Sequence, residues 1–170
     1  MIKCFLLILS TIHFSVFADQ NQLSVSLLNS ELKKNYTFVE RSLNQSAMKI
    51  ENSSGKILFD DVGITVNVLS PFEENYRIEG GIIEIHDLFT DQKQSIDVDQ
   101  ANNFFLDILI DGIDENNQTY NINIIDNASI EIISVDQNAF INFLFFENRL
   151  DLIRYKDSIG VEHGIELTPL

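Results

Sequence analysis

GITVNVLSPFEENYRIEGGIIEIHDLFTDQKQSIDV, which covers residues 63–98, is the stretch of this chain that decides its fold. Ile64, Val66 and Val68 alternate with polar or small residues, which places the β-branched side chains on one face of a half-buried strand. Pro71 ends this strand because proline has no amide hydrogen to donate to a sheet.

The second half of this stretch predicts a hairpin. An extended run restarts at Tyr76, and the pair Gly80-Gly81 tolerates the positive φ of a tight turn. Ile82 to Asp87 follows as the return strand, and a further alternation ends at Val98. The stretch therefore predicts an antiparallel meander.

Two segments of the chain show helical spacing. Apolar residues recur every three or four positions between Leu23 and Gln45, which predicts one amphipathic helix lying across an open sheet face. Its apolar stripe would consist of Leu28, Leu32, Tyr36, Val39 and Leu43. A second short helix is predicted over Gln100–Asp111, with Gly112 as its stop.

Further strand-like runs lie on both sides of these segments. They cover residues 47–51, 56–60, 119–125, 129–134, 139–146, 149–155 and 161–167, and the turn-rich Asn52-Ser53-Ser54-Gly55 is expected to join the first two. With the 63–98 strands they predict a mainly β (α+β) chain: a curved antiparallel sheet of about eleven strands with two helices.

The function of such a protein depends on what fills the concave side of its sheet. If side chains fill it the protein has a core, and if they do not it has a ligand cavity. Both faces of Phe140–Phe146 are apolar, so one face would meet the interior and the other would need a helix or a partner. Burial of this run by helices on both sides is the alternative.

Residues 1–18 are typical of a cleaved signal peptide. Lys3 supplies the positive start, an apolar core follows, and Val16-Phe17-Ala18 forms a cleavage site before Asp19. A membrane anchor is the alternative, but the apolar run is interrupted and short for a bilayer. Cys4 would be removed with the peptide, which excludes disulfides and thiol chemistry from the mature chain.

The mature chain, residues 19–170, is expected to form a single domain with a strongly acidic surface. The net charge is −15, from 11 Lys and Arg against 26 Asp and Glu, while 45% of residues are hydrophobic. Nucleic-acid binders need clusters of cations, so this balance disfavours them, and it disfavours anionic membranes for the same reason. The negative charge is interpreted more simply as a solvated exterior than as an acidic docking patch for a basic partner.

Catalytic and metal-binding patterns are absent. His86 and His163 are isolated in the sequence, without HExxH spacing, and no GxSxG, phosphate-loop or GxGxxG motif occurs. We therefore expect no catalytic residues, no metal and no cofactor. A hydrolase using His86 or His163 remains a third hypothesis.

The 63–98 stretch resembles the bacterial outer-membrane lipoprotein carrier family (LolA). The resemblance lies in the order and spacing of Gly63, Pro71, Phe72, Tyr76, Glu79-Gly80, Ile83 to Ile85, Asp87 and Gln92, and it extends weakly over residues 23–165. Ser70 stands where the family usually has an arginine, and Tyr76 and Glu84 stand where it has tryptophans.

The resemblance implies a LolA-like incomplete (half) β-barrel covered by helices. It implies a monomeric, non-enzymatic periplasmic carrier that shields lipoprotein acyl chains on the way to the outer membrane. Its partners would be an inner-membrane lipoprotein-releasing transporter and an outer-membrane receptor. The alternative is a periplasmic lipid-binding, interaction or sensor module of the same fold, with a different cargo or a filled core.

The predicted lipid-binding residues form two groups. The cavity wall would consist of Val66, Val68, Phe72, Tyr76, Ile83, Ile85 and Phe143. The lid would consist of Phe104, Phe105, Ile108 and Leu109.

Overall fold

A computed structural model describes residues 23–45, 48–136, 139–157 and 159–170. The predicted signal peptide, with Cys4, lies outside the described residues.

Eleven strands and three short helices make up the described structure. The strands are β1 (Tyr36–Asn44), β2 (Lys49–Phe59), β3 (Gly63–Ser70), β4 (Glu74–Glu79), β5 (Ile82–Asp87), β6 (Gln92–Asp97), β7 (Tyr120–Asp126), β8 (Ser129–Ser134), β9 (Phe140–Phe146), β10 (Arg149–Lys156) and β11 (Glu162–Pro169). The helices are α1 (Val25–Glu31), α2 (Val98–Ala101) and α3 (Phe104–Asp111).

All eleven strands belong to one open sheet in the order β6-β5-β4-β3-β2-β1-β11-β10-β9-β8-β7. Two meanders, β1–β6 and β7–β11, are joined where the first strand pairs antiparallel with the last. Because β6 and β7 are opposite edges of the sheet, the segment that carries α2 and α3 must cross its whole width. The predicted antiparallel fold class is confirmed, as is the Gly80-Gly81 hairpin, whose glycines have φ of +57° and +79°.

The predicted helix over Leu23–Gln45 is wrong in its second half. Only α1 is helical, and the chain becomes extended at Tyr36, where Tyr, Thr, Phe and Val favour a strand. Tyr36 and Phe38 are buried on one face, whereas Val39 lies on the other and is 54% exposed. The long-range pairing of β1 with β11 therefore overrides the apparent helical spacing.

The predicted turn at Asn52–Gly55 is also wrong, because β2 is one continuous strand. Gly55 is required by packing: a Cβ there would lie 2.0 Å from the carbonyl oxygen of Asn67 on β3. The expected number of about eleven strands is still correct. The sequence analysis assigns β1 to a helix, but it counts β2 as two strands.

The core lies on the concave face under the helices. Ile130, Ile132, Ile141, Phe143, Leu150 and Ile153, all on β8–β10, are at most 2% exposed. On the convex face of β9, Phe140 and Phe146 are 41% and 59% exposed. The alternative that helices bury β9 on both sides is therefore wrong.

A buried carboxylate fixes α1 to the sheet. Glu31 is 3% exposed and accepts hydrogen bonds from Tyr36 Oη at 2.9 Å, the Leu150 amide at 3.2 Å and Lys34 Nζ at 2.5 Å. Burial alone would raise the pKa of Glu31, but these three hydrogen bonds outweigh it and lower the pKa. The ionised carboxylate thus ties α1 to both β1 and β10.

Phe143→Ala should destabilise the protein by about 3–5 kcal/mol, because it opens a cavity in the tightly packed part of the core. Urea unfolding measures the change. Phe146→Ala removes the same side chain from the exposed face of the same strand and should cost less than about 1 kcal/mol. Equal losses for the two variants would contradict this description of the core.

Candidate functional site

The two halves of the concave face are filled to different extents. Over β8–β10 the interior is closed, whereas over β3–β5 Val66, Tyr76 and Ile85 remain half-buried. The strand register places these three side chains next to one another across the sheet. Val68 lies one step further along β3, also half-buried. The interior thus has one packed half and one accessible apolar half.

Helix α3 covers the concave face with its apolar side. Asn103 caps its first turn by accepting hydrogen bonds from the Phe105 and Leu106 amides at 3.1 and 3.3 Å. Asn29 on α1 holds the segment after the helix, since its side chain both donates to and accepts from the Ile113 backbone at 2.8 Å. The two helices therefore form one connected cover.

A cavity of about 740 Å³ opens where α3 meets the ends of β2–β5. Its volume lies in the usual range for ligand pockets. The apolar lining residues are Phe59, Val62, Ile64, Ile78, Val98, Leu109 and Ile110. The charged lining residues are Asp60, Asp61, Glu79, Asp99, Asp107, Asp111 and Lys33. An apolar floor and a largely acidic rim suit an apolar group whose polar end is not anionic.

Two rim carboxylates have opposite electrostatic environments. Burial, together with the negative charges of Asp111 and Asp99, raises the pKa of Asp107. Hydrogen bonds from Arg77 lower the pKa of Asp60, whose oxygens lie 2.6 and 3.1 Å from the guanidinium nitrogens. Arg77 also contacts Glu79 at 2.9 Å, so this part of the rim is a fixed ion-pair network.

The structure brings together only part of the predicted wall. Val66, Val68, Tyr76 and Ile85 line the accessible half, and Ile83 is buried beside them. Phe72 lies in the β3–β4 connection and is 70% exposed, so it is no part of the wall. Phe143 is fully buried and belongs to the packed core.

The predicted lid residues all lie on α3. Phe104, Phe105 and Leu109 are half-buried against the core, and Ile108 is 2% exposed. Sequence reasoning missed Phe59, Ile64, Ile78 and Val98 in the cavity lining. Ile64 could have been included from the sequence alone, because it belongs to the same alternating pattern as Val66 and Val68.

His163 has neighbours that the sequence does not reveal. Its Nδ1 lies 2.7 Å from Glu40 and its Nε2 lies 3.3 Å from Asp157. Its ring stacks on Tyr155 at 4.5 Å, and Phe105 of α3 stacks on Tyr155, also at 4.5 Å. The helical cover is therefore in contact with an ionisable cluster on the sheet.

The charges of this cluster stabilise one another. Burial lowers the pKa of His163, but the hydrogen bonds and negative charges of Glu40 and Asp157 outweigh it and raise the pKa. The hydrogen bond with His163 lowers the pKa of Glu40 against the opposing effect of burial. The Ser53 hydroxyl donates to Glu40 at 2.8 Å, so this serine is not paired with the imidazole as a nucleophile would be.

Within the described ranges, no group of three or more His, Cys, Asp or Glu side chains is arranged to hold a metal ion. None of the helices in these ranges has the length and hydropathy that a membrane crossing requires.

Folding stability should depend on pH through His163. Its raised pKa gives a contribution that is complete below the ordinary value of 6.5 and is lost as pH rises through the folded pKa. The lowered pKa of Glu40 gives a contribution that is complete above 4.5 and is lost as pH falls through the folded pKa. His163→Gln should therefore lower the free energy of unfolding most between about pH 5 and 6, and less at about pH 9.

Urea unfolding across this pH range measures the difference. His86→Gln is the matched control, because the Asp91 partner of His86 is 88% exposed and such surface pairs contribute little. A difference between wild type and His163→Gln that stays constant from about pH 5 to 9 would contradict the assignment.

Comparison with known proteins gives a match in structure alone. No protein-family model matches the sequence. No curated protein matches it either. A LolA superfamily protein from Nitrosomonas europaea has a similar structure, with a TM-score of 0.50 and 10% identity over 84% of this chain and 90% of that one.

The lipoprotein LppX from Mycobacterium tuberculosis also matches, with a TM-score of 0.43 and 8% identity over 85% of this chain and 90% of that one. The first likeness confirms the resemblance seen in residues 63–98 at the level of the fold: the chain has a LolA-like fold.

Proposed function

We propose that this protein is a non-enzymatic carrier that shields acyl chains inside its half-barrel. The observation that supports this most directly is the unequal filling of the concave face. Val66, Tyr76 and Ile85 form a continuous apolar surface that the protein's own side chains leave half-buried. A cavity of about 740 Å³ lies beside this surface, lined by Ile64 and Ile78 of the same strands and by Leu109 of α3.

The energetics of acyl burial require such a surface. Each methylene removed from water contributes about 0.8 kcal/mol, so a carrier needs a continuous apolar wall to hold a chain. Release requires that the wall can be uncovered. Helix α3 is held by side-chain packing and by the Asn29–Ile113 hydrogen bonds, all of which are reversible contacts.

The cargo we infer is the acylated end of a lipoprotein, delivered through the periplasm toward the outer membrane. This rests on the LolA-like fold and on the signal-peptide pattern of residues 1–18. The acidic rim favours a cargo whose polar end is neutral or basic. We further propose that a monomer receives this cargo from an inner-membrane transporter and gives it to an outer-membrane receptor.

A module of the same fold with a filled interior is the second candidate. The close packing of β8–β10, where Ile130, Ile132 and Phe143 are fully buried, favours it. It differs from the carrier in a measurable way, because it would have no affinity for acyl chains.

Ile85→Asn should weaken binding of a fluorescent monoacylglycerol, a lipid with a neutral head, by about tenfold or more, because it places an unpaired amide against the acyl chain. Fluorescence titration of residues 19–170 measures the affinity. Ile82→Asn is the matched control: it makes the same change on the same strand, but Ile82 is 37% exposed on the opposite face.

Retained affinity in Ile82→Asn together with a loss in Ile85→Asn would support the carrier. Equal affinities in the two variants would contradict the assigned acyl-binding surface. Absence of monoacylglycerol binding in the wild type would favour the filled module.

A further inference from the structure

The convex face of the sheet carries a row of hydrogen-bond donors centred on a glycine. Five neighbouring strands contribute, in spatial order, Asn52, Arg41, Gly164, Arg154 and Asn142, each opposite the next in the strand register. Neighbouring strands are about 4.8 Å apart, so the backbones that bear the two arginines are about 10 Å apart, with no side chain between them.

Two arginines of this row, Arg41 and Arg154, have no ion-pair partner among the described residues, although the net charge of the protein is −15. Arg77 pairs with Asp60 and Glu79, and Arg149 pairs with Asp151. Within the described ranges, by contrast, neither Arg41 nor Arg154 forms a salt bridge or a side-chain hydrogen bond.

Acidic residues do lie near them on the same face. Glu162 and Glu166 are two positions before and after Gly164 on β11. Glu162 accepts a hydrogen bond from Gln45 Nε2 at 3.0 Å instead of pairing with an arginine. Two guanidinium groups therefore remain available to an external anion.

Neither packing nor backbone conformation accounts for Gly164. A Cβ there would meet only the Arg41 carbonyl oxygen, at the ordinary contact distance of 3.9 Å. At the strand glycines Gly55 and Gly63 a Cβ would approach backbone oxygens to 2.0 and 2.2 Å. Gly164 also lacks the positive φ found at the turn glycines. A glycine inside a strand often marks a bulge, a tight bend, or a place where a ligand or another backbone approaches closely. The register of β11 with β1 and β10 has no bulge at Gly164.

The surroundings of the row define the class of ligand. A groove of about 460 Å³ contains Arg41, Gly164 and Arg154 and is flanked by the apolar Leu43, Ile50 and Phe140. Glu162, which accepts a hydrogen bond from Gln45, also lines this groove, so two guanidinium groups stand against one carboxylate among its lining residues. Ile50 is 50% exposed and Phe140 is 41% exposed.

Asn142 adds a further donor at the edge of this groove. Its Oδ1 accepts from the Ser129 hydroxyl at 2.9 Å, which leaves the amide hydrogens free to donate. The groove thus offers several donors to an anion and an apolar surface beside it.

We propose that this groove, the convex arginine site, binds single phosphate-headed lipid molecules. The guanidinium groups of Arg41 and Arg154 hold the phosphate over Gly164, and the flanking apolar residues contact the start of the acyl chain. A phosphate presents several acceptor oxygens to planar guanidinium donors, which suits two arginines on the strands that flank Gly164. The site faces away from the concave interior and does not depend on that interior holding a lipid.

The test uses short-chain dihexanoyl phosphatidic acid, titrated calorimetrically into the folded protein. Arg41→Gln/Arg154→Gln should weaken binding by about tenfold or more, because charge-assisted hydrogen bonds are lost. Lys56→Gln/Lys93→Gln removes the same two charges from exposed lysines without ion pairs on the same face, and should leave binding unchanged. Loss of affinity in the lysine variant as well would overturn the site by showing that net charge alone attracts the ligand.

A second variant keeps both arginines. Gly164→Val adds a side chain that the strand can accommodate and should block the phosphate, so binding falls as in the arginine variant. Unchanged affinity in Gly164→Val would overturn the proposal by placing the lipid elsewhere.

Two further ligands identify the source of the anion. Dihexanoyl phosphatidylcholine, whose head has no net charge, should bind more weakly than phosphatidic acid. Equal affinities for these two lipids would overturn the proposal that the arginines recognise an anionic head. Inorganic phosphate should bind more weakly than the lipid, and equal affinity would overturn the role of the apolar flank. Absence of phosphatidic acid binding would overturn the proposal as a whole.

Discussion

The pairing of β1 with β11 is the contact on which the rest of this structure depends. Eight successive residue pairs, from Tyr36 opposite Pro169 to Leu43 opposite Glu162, join the two meanders into one sheet. The pairing leaves β6 and β7 at opposite edges, so the chain between them has to cross the concave side. The helical cover over the interior is thus a consequence of how the ends of the chain meet.

The two halves of the interior are filled unequally because the two meanders place different side chains under the helices. Strands β8–β10 present Ile and Phe side chains that pack to complete burial. Strands β3–β5 present smaller or amphipathic side chains at Val66 and Tyr76 and acidic ones at Glu74 and Asp87, which do not fill the same space. One half of the interior is therefore tightly packed, and the other half remains partly exposed.

Much of the sheet could be predicted because strands such as β3 alternate apolar and polar residues and because the β4–β5 turn is Gly80-Gly81. The strands after residue 63 and the Gly80-Gly81 hairpin needed no tertiary information. The boundary between α1 and β1 did, since the residues near Tyr36 fit both periods until β11 pairs with them. Gly55 likewise resembles a turn residue until Asn67 is placed beside it.

For the site, the alternation in β5 predicts which face of the sheet carries Ile85. The sequence does not show that Phe143 is fully buried in the core whereas Ile85 is only half-buried. The partners of His163 lie as far away as Glu40, which is 123 residues distant.

The central claim is that the half of the concave face over β3–β5 holds an acyl chain. Native mass spectrometry of residues 19–170, purified from the periplasm and followed by extraction of bound lipid, tests it most directly. The mass should exceed that of the polypeptide by the mass of an acylated molecule, and this excess should disappear when the protein is denatured. A mass equal to that of the polypeptide alone, with no lipid in the extract, would contradict it.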